Sequence, residues 1–261
     1  MLDLLRASNL PTVWTNVLVA MALSGQRNPL YFLALSLIYL GGMALNDCCD
    51  LSWDRRHRPD KPIPSGRVRL WQAALVAASL LAGGATLLLV AGGRWATPLV
   101  ALVVAYNLVH KRTEMAALLM GGCRGLILFC VTHDMTPTLL VSALLLSGYV
   151  TLLTLLARRE AFQQVRKGWL TTLQVAVTIL TVMGMVLALY QLAFYALLLL
   201  LALFRAGHFA NRGNLKGMVL TLIAAISLLD ACLLAAFGHS GWPGLVGFVL
   251  TRLWHRRVSG T

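Results

Sequence analysis

Four of the chain's nine acidic residues fall between Asp47 and Asp60. The stretch reads Asn46-Asp47-Cys48-Cys49-Asp50-Leu51-Ser52-Trp53-Asp54. In a continuing helix, Asp47, Asp50 and Asp54 are related by i, i+3 and i+7, which puts three carboxylates on one face, with Asn46 one turn before Asp50. Like charges on one face repel, and near a membrane centre each carboxylate costs about 2.5–3.5 kcal/mol, less toward a helix end. A cation should offset this. Mg²⁺ suits such a site, because it takes oxygen ligands, keeps several waters and is commonly shared with substrate phosphates. The competing reading is a solvated charge run balancing Arg55, Arg56 and Arg58. Asp47 and Asp50, however, precede that basic run and follow directly on the apolar Tyr39–Leu45, which favours the metal reading.

The elements that must carry this cluster are membrane helices. Hydrophobic residues make up 59% of 261 residues and charged residues 12%, with a mean hydropathy of +0.77. A soluble domain carries about 25% charged residues, because its surface faces water. Each bilayer crossing takes roughly 20 apolar residues, so an all-α, polytopic protein of about nine transmembrane helices is expected. The spans lie at approximately 10–25, 30–50, 70–91, 95–110, 116–132, 138–157, 169–188, 190–205 and 215–237. No Pro/Gly/Ser-rich linker divides the chain, so residues 1–261 are read as one domain. The N-terminal apolar stretch after Arg6 is read as a first, uncleaved span. The five cysteines form no C-x-x-C pair and read as small buried hydrophobes.

A net charge of +13 does not point to nucleic acid, because the basic residues gather in alternate loops. Arg6, the Arg55–Arg69 loop, Lys111 and Arg112, Arg158 to Lys167, and Arg205 to Lys216 fall on one side, assigned to the cytoplasm. The other side has Arg27 and Arg94, and Arg124 lies inside the fifth span. The tail residues Arg252, Arg256 and Arg257 do not fit, since nine spans leave them outside. Trp14, Trp53, Trp71, Trp95 and Trp169 lie near span ends, as an aromatic belt would place them.

With the cluster at the end of the second span, the sequence resembles the UbiA superfamily of intramembrane prenyltransferases. Asn46, Asp47, Asp50 and Asp54 match its N-D-x-x-D-x-x-x-D signature. Arg58-Pro59-Asp60-Lys61-Pro62-Ile63-Pro64-Ser65-Gly66 resembles its R-P-x-x-x-G stretch, and Arg6-Ala7-Ser8-Asn9-Leu10-Pro11-Thr12 resembles its R-x-x-N-x-x-T opening. Tyr106-Asn107, Lys111, Thr113 and Met120-Gly121-Gly122-Cys123-Arg124-Gly125-Leu126 resemble most the EboC-like branch. The resemblance implies a helical bundle around a cavity opening to the cytoplasmic side of a bacterial inner membrane. It also implies Mg²⁺-dependent transfer of an isoprenoid group from a prenyl diphosphate to a small, aromatic or other, acceptor. Asn46, Asp47, Asp50 and Asp54 would be the metal ligands, the three aspartates carrying catalysis, and Asn9, Lys111, Arg112, Arg124 and Arg158 would face the diphosphate. For Arg124, the residues alone leave a salt bridge or snorkelling to the interface open.

The family's second acidic motif, at the end of the sixth helix, is missing. Val150 and Ala157 stand where aspartates are expected, in Tyr149-Val150-Thr151-Leu152-Leu153-Thr154-Leu155-Leu156-Ala157-Arg158-Arg159-Glu160. Either one Mg²⁺ suffices, with Arg158 and Arg159 taking part of the charge, or Glu160 remains as the remnant of a second site, or catalysis is lost. Glu160 also reads as an interfacial partner of Arg158 or Arg159. The alternative function is therefore a membrane carrier or assembly factor that binds a prenyl diphosphate without turnover. A CDP-alcohol phosphotransferase is disfavoured, because Leu51 follows Asp50 where that class needs glycine. His57 and His110 flank the basic loops, His133-Asp134 falls on the other side, and Asp230, within the last span, is expected to pair with a neighbour.

Overall fold

The computed structural model describes residues 5–132, 134–161, 168–187 and 189–257. After a short 3₁₀ turn at Ala7–Asn9 come eleven α-helices: α1 Leu10–Ser24, α2 Leu30–Cys49, α3 Leu51–His57, α4 Leu70–Val90, α5 Ala96–Val109, α6 Ala116–Val131, α7 Pro137–Ala161, α8 Gly168–Val186, α9 Tyr190–Asn211, α10 Leu215–Ala236 and α11 Trp242–Trp254. Helix ends follow local chemistry. Pro11 sits in the first turn of α1, where its missing N–H is not needed, and Gly25 closes that helix at φ 70°. Asn214 caps α10 by accepting from the Gly217 N–H at 2.8 Å.

Each of the nine expected spans has a helix of its own. Five of them, α2, α4, α7, α9 and α10, are long and apolar enough to cross a membrane; α5, α6 and Leu170–Val186 of α8 are shorter apolar helices. Large apolar side chains such as Leu75, Leu144, Val182 and Leu201 stand exposed on the outer helices. So much outward apolar surface belongs to a lipid-facing bundle. At its centre, α10 is buried along most of its length. Close approaches rest on glycine, as in other membrane bundles. A Cβ on Gly41 of α2 would lie 2.9 Å from the Leu81 nitrogen of α4, and one on Gly84 of α4 would lie 2.9 Å from the Ala34 oxygen of α2.

Two features differ from the sequence reading. The tail does not end on the opposite side. Helix α11 runs back along α10, its Gly244 against Ala231 and its Arg252 donating to Thr221 Oγ1 at 3.2 Å. His255 then meets Asn9 Oδ1 at 2.7 Å. Arg252, Arg256 and Arg257 thus lie at the end of the bundle that holds Asn9, and the misfit of the basic tail disappears. The second difference is at Asp50, where α2 stops and α3 begins. The backbone ladder barely breaks, with Asp50 N–H to Asn46 O at 2.9 Å and Asp54 N–H to Asp50 O at 2.8 Å.

Candidate functional site

Because the ladder persists through Asp50, the four residues of the acidic stretch stay together. All four are buried: Asn46 6% exposed, Asp47 4%, Asp50 5% and Asp54 1%. Such burial is tolerable only where carboxylates are paired. Arg6 Nη2 lies 3.1 Å from Asp47 Oδ1 and 3.3 Å from Asn46 Oδ1. Lys61 Nζ bridges Asp47 Oδ1 at 3.1 Å and Asp54 Oδ2 at 2.8 Å. Asp50 is flanked from the α5–α6 turn by His110 Nε2 at 2.8 Å and Lys111 Nζ at 3.4 Å. Burial alone would oppose ionisation of Asp50, yet His110, Lys111 and Lys61 hold its carboxyl below the usual range.

The helices around this cluster enclose a cavity of about 270 Å³. Its mouth is polar, with Arg6, Asn46, Asp50, Asp54, Arg58, Lys61, His110 and Lys111, and its interior passes to Met43, Met120, Val219, Ile223 and Ile226. A second apolar space of about 60 Å³ lies between α2, α5 and α6, lined by Leu35, Ile38, Leu99, Val103 and Ile127. Tyr39, Met43, Tyr106, Met120 and Arg124 line both spaces. The wall facing the aspartates is formed by Val150, Leu153, Thr154, Ala157 and Arg158 of α7, so the positions without the expected aspartates do face the cavity.

Placement of the expected site residues is uneven. Asn46, Asp50 and Asp54 line the cavity, whereas Asp47 does not and instead anchors Arg6 and Lys61. Asn9 lines it and contacts His255. Lys111 lies at the mouth, with Nζ 4.3 Å from the Trp53 ring centre. Arg112 is exposed and absent from the lining. Arg124 lines the cavity floor, where it donates to Asn16 Oδ1 at 2.9 Å and Thr12 Oγ1 at 3.2 Å. Asn16 in turn donates to Asp230 Oδ2 at 2.7 Å, so Asp230 finds its partner across helices. Arg158 lines the mouth with its guanidinium on backbone carbonyls. The side chains of Arg159 and Glu160 lie outside the described residues, as does His133. Sequence reasoning placed Arg6 and Lys61 in motifs but missed that they pair with the aspartates. Asn107 likewise stood in a motif without its partner: its Oδ1 accepts from Asn46 at 3.0 Å.

Mg²⁺ can be tested against this donor set. Asp54 Oδ1 is buried with no hydrogen-bond partner among the described residues. Asp50 Oδ1 has its His110 neighbour only at ion-pair distance, outside hydrogen-bond alignment. Open oxygens on one or two carboxylates are what Mg²⁺ takes from protein when water and phosphate complete its shell. A full protein cage is absent, since no three His, Cys, Asp or Glu side chains converge among the described residues. The donor set therefore fits an ion shared with a phosphate ligand.

Comparison with known proteins places this architecture. A digeranylgeranylglyceryl phosphate synthase from Ignicoccus hospitalis is 35% identical over 120 residues, covering 44% of this chain and 40% of that relative. One from Methanosarcina barkeri is 45% identical over 58 residues, 22% of this chain and 20% of the relative. The chain thus spans two fifths or less of the length of these curated relatives. The fold is similar to the apo structure of a UbiA homolog from Aeropyrum pernix K1, with a TM-score of 0.65, 16% identity, and coverage of 89% of this chain and 98% of that one. A structure described for digeranylgeranylglyceryl phosphate synthase in membranes gives a TM-score of 0.54 at 17% identity, covering 95% and 97%. At these identities the likeness is one of fold. Residues 8–217 match the UbiA prenyltransferase family, and the chain belongs to that family.

Proposed function

We propose that the protein transfers an isoprenoid group from a prenyl diphosphate to a small acceptor within the membrane, with Mg²⁺ held at Asp50 and Asp54. One observation carries this reading: a single cavity joins buried carboxylate oxygens without hydrogen-bond partners at its mouth to an apolar interior. A diphosphate ester of a long hydrocarbon has the same two halves. The family and the names of the relatives agree with prenyl chemistry. They make a geranylgeranyl donor the first to test.

In this mechanism Asp50 and Asp54 offer their open oxygens to the ion, and Asn46 orients Asp50's neighbours through Asn107 and His110. Bound Mg²⁺ would supply Lewis-acid stabilisation of charge on the leaving diphosphate oxygens. Arg6, Arg58 and Lys111 around the mouth add fixed positive charge where that negative charge grows as the carbon–oxygen bond breaks. The resulting allylic cation sits among Tyr39, Met43, Tyr106 and Met120, away from bulk water, until the acceptor's electron pair forms the new bond. The acceptor's proton leaves toward the diphosphate or water at the mouth. The active-site end is proposed to face the cytoplasm, the side on which the basic loops and the tail gather.

A second reading, a carrier that binds prenyl diphosphate without turnover, is favoured by the apolar Val150 and Ala157 in the wall opposite the aspartates. Turnover of purified protein in nanodiscs decides between them. Radiolabelled farnesyl and geranylgeranyl diphosphates are offered with a panel of small acceptors, with and without Mg²⁺. Mg²⁺-dependent pyrophosphate release that Asp50→Ala abolishes supports transfer. Binding without release in any mixture leaves the carrier.

A further inference from the structure

Arg158 was expected to meet the diphosphate, yet three hydrogen bonds from its guanidinium go to backbone carbonyls. Nη1 donates to the His110 carbonyl at 2.7 Å and to the Thr113 carbonyl, and Nη2 donates to the Lys111 carbonyl at 3.3 Å. All three acceptors belong to the turn between α5 and α6. Helix α5 ends at Val109, and the Arg112 and Thr113 N–H groups both fold back to the Val109 carbonyl. The carbonyls after that point have no helical donor, and a cation there also meets the negative end of the helix dipole. A planar guanidinium can reach several such oxygens at once, whereas an ammonium cannot reproduce the fork.

The same turn supplies the two side chains that flank Asp50, His110 Nε2 at 2.8 Å and Lys111 Nζ at 3.4 Å. Lys111 is further fixed over the Trp53 ring, and His110 stacks on Tyr106 with ring centres 5.1 Å apart. Arg158 approaches from α7, the wall on which Val150 and Ala157 bring no carboxylate. We infer that Arg158 is a positioning residue: from the wall opposite the aspartates it clamps the α5–α6 turn, and so sets where His110 and Lys111 stand beside Asp50. The inference rests on reading the cavity as a prenyl-diphosphate site. It gives that wall a structural part in the site that needs no second acidic motif.

Two measurements on the full chain in nanodiscs test it. The first is a double-mutant cycle of Arg158→Gln and Lys111→Met, read as equilibrium binding of geranylgeranyl thiolodiphosphate with Mg²⁺. A clamp acting through the turn weakens binding about ten-fold when Lys111 is present and about two-fold or less when it is already Met, because the two residues act as one unit. Arg158→Lys keeps the charge and does not restore binding. The second is amide hydrogen exchange over residues 110–115 without ligand, which both Arg158 variants accelerate while exchange in α10 stays as in the wild type. Equal losses in both Lys111 backgrounds, or rescue by Lys, mean direct diphosphate contact and overturn the inference. Unchanged exchange in the turn overturns it as well. If wild-type protein binds no probe, the proposed function falls, and the exchange result alone decides whether the clamp exists.

Discussion

Lys61→Met removes the one ammonium that bridges Asp47 Oδ1 at 3.1 Å and Asp54 Oδ2 at 2.8 Å. Asp47 keeps Arg6 as a partner, but Asp54, 1% exposed, keeps none among the described residues, because its Oδ1 already has no hydrogen bond there. Removing one partner of a fully buried pair costs about 3–5 kcal/mol, and an exposed pair is worth about 0–1 kcal/mol. The Lys61 side chain is 16% exposed at the cavity mouth, so the loss should lie between these limits, about 2 kcal/mol. At 2–4 °C per kcal/mol for a chain of this size, Tm falls by about 4–8 °C. Thermal unfolding in nanodiscs without divalent ions measures it. The companion variant Asp54→Asn takes away the stranded charge, so Lys61→Met with Asp54→Asn should fall by clearly less than the sum of the single changes. Strict additivity, or a Tm within about 1 °C of wild type for Lys61→Met, would refute the reasoning.

Three further outcomes follow from the packing and the charges. Gly121→Ala places a Cβ against the Ser147 carbonyl and the Thr151 hydroxyl of α7; overpacking of this kind costs about 1–3 kcal/mol and should lower Tm by several degrees. Paired Val150→Asp and Ala157→Asp put carboxylates into the apolar cavity wall; Tm should drop without Mg²⁺ and recover when Mg²⁺ and pyrophosphate are added together, a recovery the wild type shows to a smaller extent. Burial, with Arg252 nearby, holds the His255 imidazole down at about 4. The folded tail thus favours the neutral imidazole, and the stability this gives above the ordinary histidine value near 6.5 is lost as pH falls from there toward 4. Amide protection factors in residues 250–257, corrected for the pH dependence of intrinsic exchange, should therefore fall between pH 7 and pH 5, and His255→Gln should flatten that dependence.

The helices were legible because nothing but apolar length is needed to mark them: the span expected at 215–237 is α10, Leu215–Ala236. The acidic cluster was legible for a similar reason, since i, i+3, i+7 spacing survives the one-residue break at Asp50. Partners across the bundle were not. Lys61 reads as one cation in a basic loop, and only the folded loop swings it between Asp47 and Asp54. Arg124 inside a span announced a buried role, but its route through Asn16 to Asp230 joins residues more than a hundred positions apart. Arg158 looked like another phosphate-facing charge, because sequence does not reveal that three backbone carbonyls are its acceptors. The return of the tail was hidden by the shortness of α11, 13 residues, which at 1.5 Å per residue covers about 20 Å and falls below the usual length of a membrane span.

The central claim is that the Asn46–Asp54 cluster holds a cation jointly with a prenyl diphosphate. Equilibrium binding of radiolabelled geranylgeranyl thiolodiphosphate to wild-type and Asp50→Ala protein, across a Mg²⁺ titration, tests it most directly. The account predicts tight binding that rises with Mg²⁺ in the wild type and loses its Mg²⁺ dependence in Asp50→Ala. Equal binding with and without Mg²⁺, or an Asp50→Ala titration that overlays the wild type, would contradict it.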